Sequence, residues 1–249
     1  MSSEEETVLV LVKATPNWSN NLKRYTICTA GINENDEWRR LYPLQWSTIR
    51  DKDIKLWDKI KIRTSRPEKD QRPESQKIDE KTIVNLGCAI KDREERRKFL
   101  VDHVDPFLPD ATKTKRTLSI IKPTLFGFSI EKAGEESKQV TLDGAAFKVQ
   151  PYGDISMIYQ FKCGEKGCPM CSRVHKFHYM ECFDFGANEL YKYYENKKLD
   201  ERTLNEKVRE GLFSRMKTNC ECWFAMGTHS QYPFLRWMIV GLLWMKRAN

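Results

Sequence analysis

No stretch of this 249-residue chain is apolar for long enough to cross a bilayer as a helix. The longest apolar run, WMIVGLLWM from Trp237 to Met245, is about half of the roughly 20 residues a spanning helix needs. The N-terminal MSSEEETVLVLVK carries acids where a secretory leader carries Lys or Arg. Its apolar run, Val8 to Val12, is also too short for a leader's hydrophobic region. The expectation is a cytoplasmic protein without a membrane partner. Internal repeats and low-complexity tracts are lacking, and so are GxSxG, P-loop and GxGxxG motifs, so no ready-made nucleophile or phosphate-loop chemistry is indicated. With 8 cysteines in 249 residues the chain falls well short of a disulfide scaffold. In a reducing compartment, a close cysteine cluster points instead to metal or catalysis.

What the chain does have is the balance of a globular protein, with 40% hydrophobic and 31% charged residues. Its formal net charge of +8 favours a polyanionic partner such as nucleic acid, DNA or RNA. Strand-like segments open the chain: TVLVLVK (Thr7 to Lys13), YTICTAGI (Tyr25 to Ile32), EWRRLYPL (Glu37 to Leu44) and the alternating DKIKIR (Asp58 to Arg63). Short strands joined by turns predict a small barrel or sandwich. RTSRPEKDQRPESQK, Arg63 to Lys77, reads as a long polar loop. A helix is expected from Lys91, then a strand in LSII, and a surface loop between Ser129 and Gln139.

ISMIYQFKC, Ile155 to Cys163, reads as a strand. Past it, Ala187, Leu190, Tyr191 and Tyr194 share one helix face. Thr203 and Glu206 have capping-box spacing for a second helix, with Leu204, Val208, Leu212 and Met216 as its stripe. CWFAMG and FLRWMIVGLLWM close the chain as core strands. The predicted fold class is α+β: a β-rich barrel-like module over 1–88, a helical and basic connecting segment over 89–139, and an α+β module with a zinc knuckle over 140–249.

CGEKGCPMCSRVHKFH packs three cysteines and two histidines into one short stretch, as Cys163-x4-Cys168-x2-Cys171-x3-His175-x2-His178, with Cys182 beyond. Zinc takes four soft or borderline ligands in a tetrahedron, and closely spaced cysteines wrap one edge of it from a single turn. Gly164, Gly167 and Pro169 supply such turns. The metal set is Cys163, Cys168, Cys171 and His178, with His175 and Cys182 in reserve. Reduced cysteines buried for packing alone are the simpler alternative.

Other residues carry paired readings. Arg72, Glu74 and, further on, Asp184 can line a catalytic site between the two halves, as in a metal-dependent nuclease. The loop residues can equally pair with one another, and Asp184 sits where a helix N-cap belongs. Trp38 and Arg40 on one strand face, with Lys113, Lys115, Arg116 and Lys122, can stack bases and neutralise phosphates. Aromatics in a core and lysines on a solvated face are the plainer reading. Cys28, mid-strand among apolar neighbours, reads as packing.

Two blocks resemble a known family. YTICTAGINENDEWRRLYPLQW, followed by DKIKIR and DQRPES, is similar to the N-terminal half of a family of uncharacterised bacterial and archaeal proteins with Cys-x-Ala-Gly, Trp-x-Arg-Leu-Tyr-Pro and Arg-Pro-Glu-Ser motifs. Cys163, Cys168, His178, Asp184-Phe185 and CWFAMG match its C-terminal half. The family helix opens with Asp-Trp-Glu. Here Gly186 replaces the acid, which counts against an acidic catalytic site headed by Asp184. The resemblance implies an architecture and metal ligands, and no reaction. The leading expectation is a zinc-containing nucleic-acid-binding protein; the rivals are a nucleic-acid- or nucleotide-processing enzyme and a protein-interaction subunit.

Overall fold

The run VLVLV near the N-terminus is apolar on both of its alternating faces, which requires a strand covered from two sides. The computed structural model of the protein describes residues 3–19, 22–132, 155–163, 168 and 177–247, with 139–140 and 146–147 as backbone. In it, β1 (Glu4–Lys13) buries Val8 and Val10 in one apolar cluster and Leu9 and Leu11 in another. The first cluster fills a barrel. The second is the seam between that barrel and the rest of the protein.

The barrel is made of β1, β3 (Arg24–Asn33), β4 (Trp38–Gln45), β5 (Asp58–Ser65) and β6 (Ser75–Cys88), with the short β2 (Asn17–Ser19) beside β3. Strand order is β1-β5-β6-β4-β3, and β3 returns to pair with β1, which closes the ring. All pairings are antiparallel except β4 with β6. Closure removes the exposed edges that an open sheet would present. Helix α1 (Trp46–Asp51), between β4 and β5, drops Ile49 into the interior with Ile27, Leu44, Ile60 and Ile62. The polar loop is shorter than its sequence implies, because β6 starts at Ser75.

α2 (Arg93–His103), β7 (Val104–Asp105) and α3 (Ala111–Thr114) link this barrel to a seven-stranded sheet. Asp92 caps α2, accepting from Glu94 N and Glu95 N, so the helix begins two residues after Lys91. The sheet comprises β7, β8 (Leu118–Ile121), β9 (Pro123–Lys132), β12 (Ile155–Cys163), β13 (His178–Cys182), β14 (Cys220–Thr228) and β15 (Trp237–Lys246). Between β9 and β12, β10 (Gln139–Val140) pairs with β11 (Ala146–Phe147). Strands of the second sheet begin at Val104, the strand expected in LSII is β8, and β9 runs to Lys132 where a surface loop was expected from Ser129.

Sheet order is β7-β8-β14-β15-β13-β12-β9. β8 and β9 are separated by Lys122 alone, yet β8 pairs with β14 and β9 with β12. One bent strand therefore joins the two sides of the sheet, which curls around its own core. Inside, the Phe224 ring lies 5.1 Å from both Tyr159 and Phe161, rings from opposite sides of the order.

α4 (Phe185–Asn196), α5 (Glu201–Arg209), a π turn (Glu210–Ser214) and α6 (Arg215–Asn219) run between β13 and β14. Leu204, Val208, Leu212 and Met216 enter the core as their spacing predicts, and Ala187, Leu190, Tyr191 and Tyr194 pack there too. The α5 cap is Asp200, which accepts from Thr203 N at 3.0 Å, rather than Thr203 itself.

Asp184 caps α4. Its Oδ1 accepts from Ala187 N at 2.8 Å and its Oδ2 from Leu242 N at 3.1 Å. Burial pushes this carboxyl up, against the pull of those N–H groups, to about 6. The folded protein then holds the Asp184 proton more tightly than the unfolded chain, so this contribution is fullest below about pH 4 and is lost as pH rises through about 6. We expect about 3 kcal/mol to be lost across that window in urea denaturation. Asp184→Asn removes the titration along with one acceptor. It should be less stable than the parent below about pH 4, where the parent is at its most stable, and lack this slope; equal slopes in the two proteins would exclude Asp184 as the source.

Candidate nucleic-acid cleft and metal centre

Between the barrel and the second sheet lies a cleft of about 1000 Å³. Its floor is the outer face of β3 and β4, where alternation turns Thr26, Cys28 and Ala30, and Arg40 and Tyr42, away from the barrel interior. The loop before β6 (Arg66, Lys69, Asp70, Arg72) forms one side, and Thr228, His229 and Val240 from β14, β15 and their turn form the other. Cys28 and Ala30, Arg40, Tyr42 and Pro43, and Arg72 and Ser75 come from the three N-terminal motifs Cys-x-Ala-Gly, Trp-x-Arg-Leu-Tyr-Pro and Arg-Pro-Glu-Ser. The fold brings all three to this one cleft.

Two buried arginines wall it. Arg40 is 2% exposed, and donates from Nη1 to Thr117 Oγ1 and from Nη2 to Thr117 O, both at 3.0 Å. Among the described residues no carboxylate forms an ion pair with it. Glu74 is one link removed: its carboxylate accepts from Thr117 N at 2.7 Å and from the Thr117 hydroxyl. Burial, with the charge of Arg72 adding, pulls the Arg40 guanidinium down to about 10. It remains a cation at neutral pH, held in a site that favours an anion. A Cβ at Gly227 would press on Val240 at 3.2 Å and lie in ordinary contact with Arg40 Nη2 at 3.5 Å.

Arg72 Nη2 binds Asp70 Oδ2 at 2.7 Å, and its Nη1 donates to Thr228 O at 2.8 Å, which ties the loop to the second sheet. Burial pushes the Asp70 carboxyl up, but the hydrogen bonds and charge of Arg72 outweigh it and bring it down to about 2. His229 is held down to about 4 by burial and by the charges of Arg236 and Arg72, so it faces the cleft as a neutral imidazole. The cleft therefore joins the buried Arg40 and the Arg72–Asp70 pair to an exposed rim of Arg66, Glu68, Lys69 and Lys77, three cations and one acid.

The other expected contact residues lie elsewhere. Trp38 packs against the seam between the barrel and the second sheet rather than standing as a stacking surface. Arg116 makes two bonds to Asp105, at 2.9 and 2.7 Å. Lys113 meets Asp110 at 3.5 Å, Lys122 meets Glu221 at 3.3 Å, and Lys115 lies 5.0 Å from the Phe234 ring. The run without acids in sequence is thus supplied with acids by the fold. Glu74 and Asp184, proposed as catalytic partners, each spend both oxygens on hydrogen bonds within the protein. Thr117 and Thr228, whose backbone oxygens hold the two arginines, were not among the expected site residues. No local signal marks a threonine for that task.

The second site is at the junction of β12 and β13. Cys163 ends one strand, His178 opens the next, and Cys168 lies between them. The Cys163 and Cys168 sulfurs are 3.2 and 3.1 Å from His178 Nε2. The three ligand atoms lie within 4.8 Å of one another, so the cluster can hold a metal ion. Leu108 N donates to Cys163 Sγ at 3.4 Å, the kind of outer contact that steadies a ligating thiolate. Cys171 and His175 lie outside the described residues. Cys182 stands apart from the cluster, in the core, where burial pushes its thiol well up.

Residues 4–103 match the model of a family described as a domain of unknown function (DUF8758). No curated protein matches the chain. A chain in the structure of a replication protein A heterotrimer bound to ssDNA is similar at 9% identity, over 98% of this chain and 66% of that one, with a TM-score of 0.28. Just under two thirds of that longer chain is spanned, and at this score the likeness decides nothing. No described helix is long and apolar enough to cross a membrane.

Proposed function

We propose that this protein binds single-stranded nucleic acid in the cleft on the outer β3–β4 face. The observation that carries the reading is the pair of buried arginines, Arg40 and Arg72, on the wall of an open cleft whose exposed rim holds three cations against one acid. The strand order supports it. Counting the five barrel strands along the chain as one to five, their order is 1-2-3-5-4, with three and five parallel. That is the connectivity of the OB barrel, whose strand 2–3 face and flanking loops take oligonucleotides or oligosaccharides. The cleft lies over the same face and is bounded by the same loop between strands four and five. The cationic wall favours the charged of these two ligands.

A zinc ion held by Cys163, Cys168, His178 and a fourth ligand, Cys171 or His175, would close the β12–β13 connection in this reading. The donor set fits, being two thiols and an imidazole brought together at strand ends. With four protein ligands the ion would serve the fold and leave no open position for catalysis.

The test is fluorescence anisotropy of a labelled oligonucleotide against salt. Log K should fall linearly with log salt. Replacing the exposed Lys69 by Gln should reduce the slope by about 0.7 if it meets one phosphate. Arg40→Gln should weaken binding at least about tenfold, since a charge-assisted bond contributes about 1.5–3 kcal/mol. Salt-independent binding, or full affinity in both variants, would overturn the reading.

A further inference from the structure

The second sheet repeats the connectivity of the first barrel. β8 and β9 together act as its first strand, bent at Lys122, and β12, β13, β14 and β15 follow as strands two to five. Strand one pairs with two and four, two with three, four with five, and three with five in parallel. The helices α4 to α6 occupy the position between strands three and four that α1 holds in the first barrel. Two barrels of one topology therefore pack against each other through the seam cluster.

Repetition of topology alone assigns no ligand, but the outer face of β9, β12 and β13 does. Phe126 and Tyr179 are 47% and 41% exposed there. Phe126 is the extra residue of the bulge between the Phe161↔Leu125 and Gln160↔Gly127 pairs, which turns its ring outward. Tyr179 lies directly opposite Gln160 on the other side of β12, and its hydroxyl donates to Glu131 Oε1 at 2.5 Å, which holds the ring in one orientation. Between the rings stand Gln160 and Lys162, the latter with Nζ 5.2 Å from the Phe126 ring. A Cβ at Gly127 would strike the Gln160 side chain at 2.7 Å, so glycine lets that amide lie across the sheet. Two strand spacings, about 10 Å, separate the backbones that carry the two rings.

We infer that this face is a second binding surface for single-stranded nucleic acid, on which successive bases stack against Phe126 and Tyr179 while Lys162 meets the backbone. Exposed rings on either side of a cation and an amide, in a chain of net charge +8, match a polyanion with aromatic faces better than an apolar peptide. The inference rests on the reading of the cleft and extends it, giving each barrel its own stretch of strand.

The experiment uses the full chain with labelled oligo(dT) and oligo(rU) of about 10 and about 30 nucleotides, lengths that suit one and two such barrels. The exposed double variant Phe126→Ala/Tyr179→Ala should bind the long strand at least about tenfold more weakly and the short strand, which the cleft alone can hold, like the parent. Tyr179→Phe, which keeps the ring, should bind the long strand like the parent. An unchanged melting temperature and zinc content in the double variant would show that the fold is intact. The two sugars would show whether the surface prefers DNA or RNA. Should the double variant bind the long strand like the parent while Arg40→Gln weakens it, the second surface is refuted and the cleft stands. If no oligonucleotide binds the parent, both readings fall together.

Discussion

Protein purified without a tag is expected to carry about one zinc ion per chain, and Cys163→Ser and Cys168→Ser are each expected to lose it. Cys163 and His178 end and begin neighbouring strands, and Cys168 sits in the connection between them, so the ion would pin a long crossing at both ends. Metal affinity of this kind is folding free energy, because the unfolded chain offers no preformed site. The variants should therefore melt lower by more than about 10 °C, and chelation of the parent should do the same. Elemental analysis and calorimetry read both quantities. Loss of metal with an unchanged melting temperature would mean an ion that does not brace the fold, and would revive the enzyme reading. Protein with no metal would return the three residues to packing.

Trp223→Ala is expected to cost about 3–5 kcal/mol, the range for truncating a large buried ring. Trp223 is fully buried in the seam, among Leu9, Leu11, Ala225 and Val240, with Lys122 Nζ 5.4 Å over its ring. It belongs to neither barrel interior, so its loss should loosen the two barrels from each other as well as destabilise the whole. Guanidinium denaturation followed by tryptophan fluorescence and by far-UV circular dichroism should give coincident transitions in the parent and separated ones in the variant. Trp223→Phe, which leaves a smaller cavity, should lose less than half as much. Coincident transitions in Trp223→Ala would show that the seam is not what couples the barrels.

Much of the fold was legible because it rests on short-range patterns. Alternation in DKIKIR marks β5, and residues at helical spacing mark α4 and α5, because burial of one face imposes a period on the chain. Caps were half legible. Asp184 was read as a cap from its place ahead of the helix, whereas Thr203 drew attention from Asp200 because two caps three residues apart share one pattern. The second barrel's closure was not legible. It depends on one strand bending at Lys122 to pair on two sides, and pairing partners leave no local mark.

By itself the sequence determined the strand-rich opening half, the doubly apolar β1 and the candidate metal cluster of Cys163, Cys168 and His178, since side chains at the two ends of one connection, and within it, meet once the strands pair. Only the tertiary structure decided the cleft. Arg40 and Thr117 are 77 residues apart and Arg72 and Thr228 are 156 apart. Whether an arginine on a strand's outer face meets water or walls a cavity depends on what covers that face. Here the covering is a second barrel, which turns surface cations into buried ones aimed at a shared space.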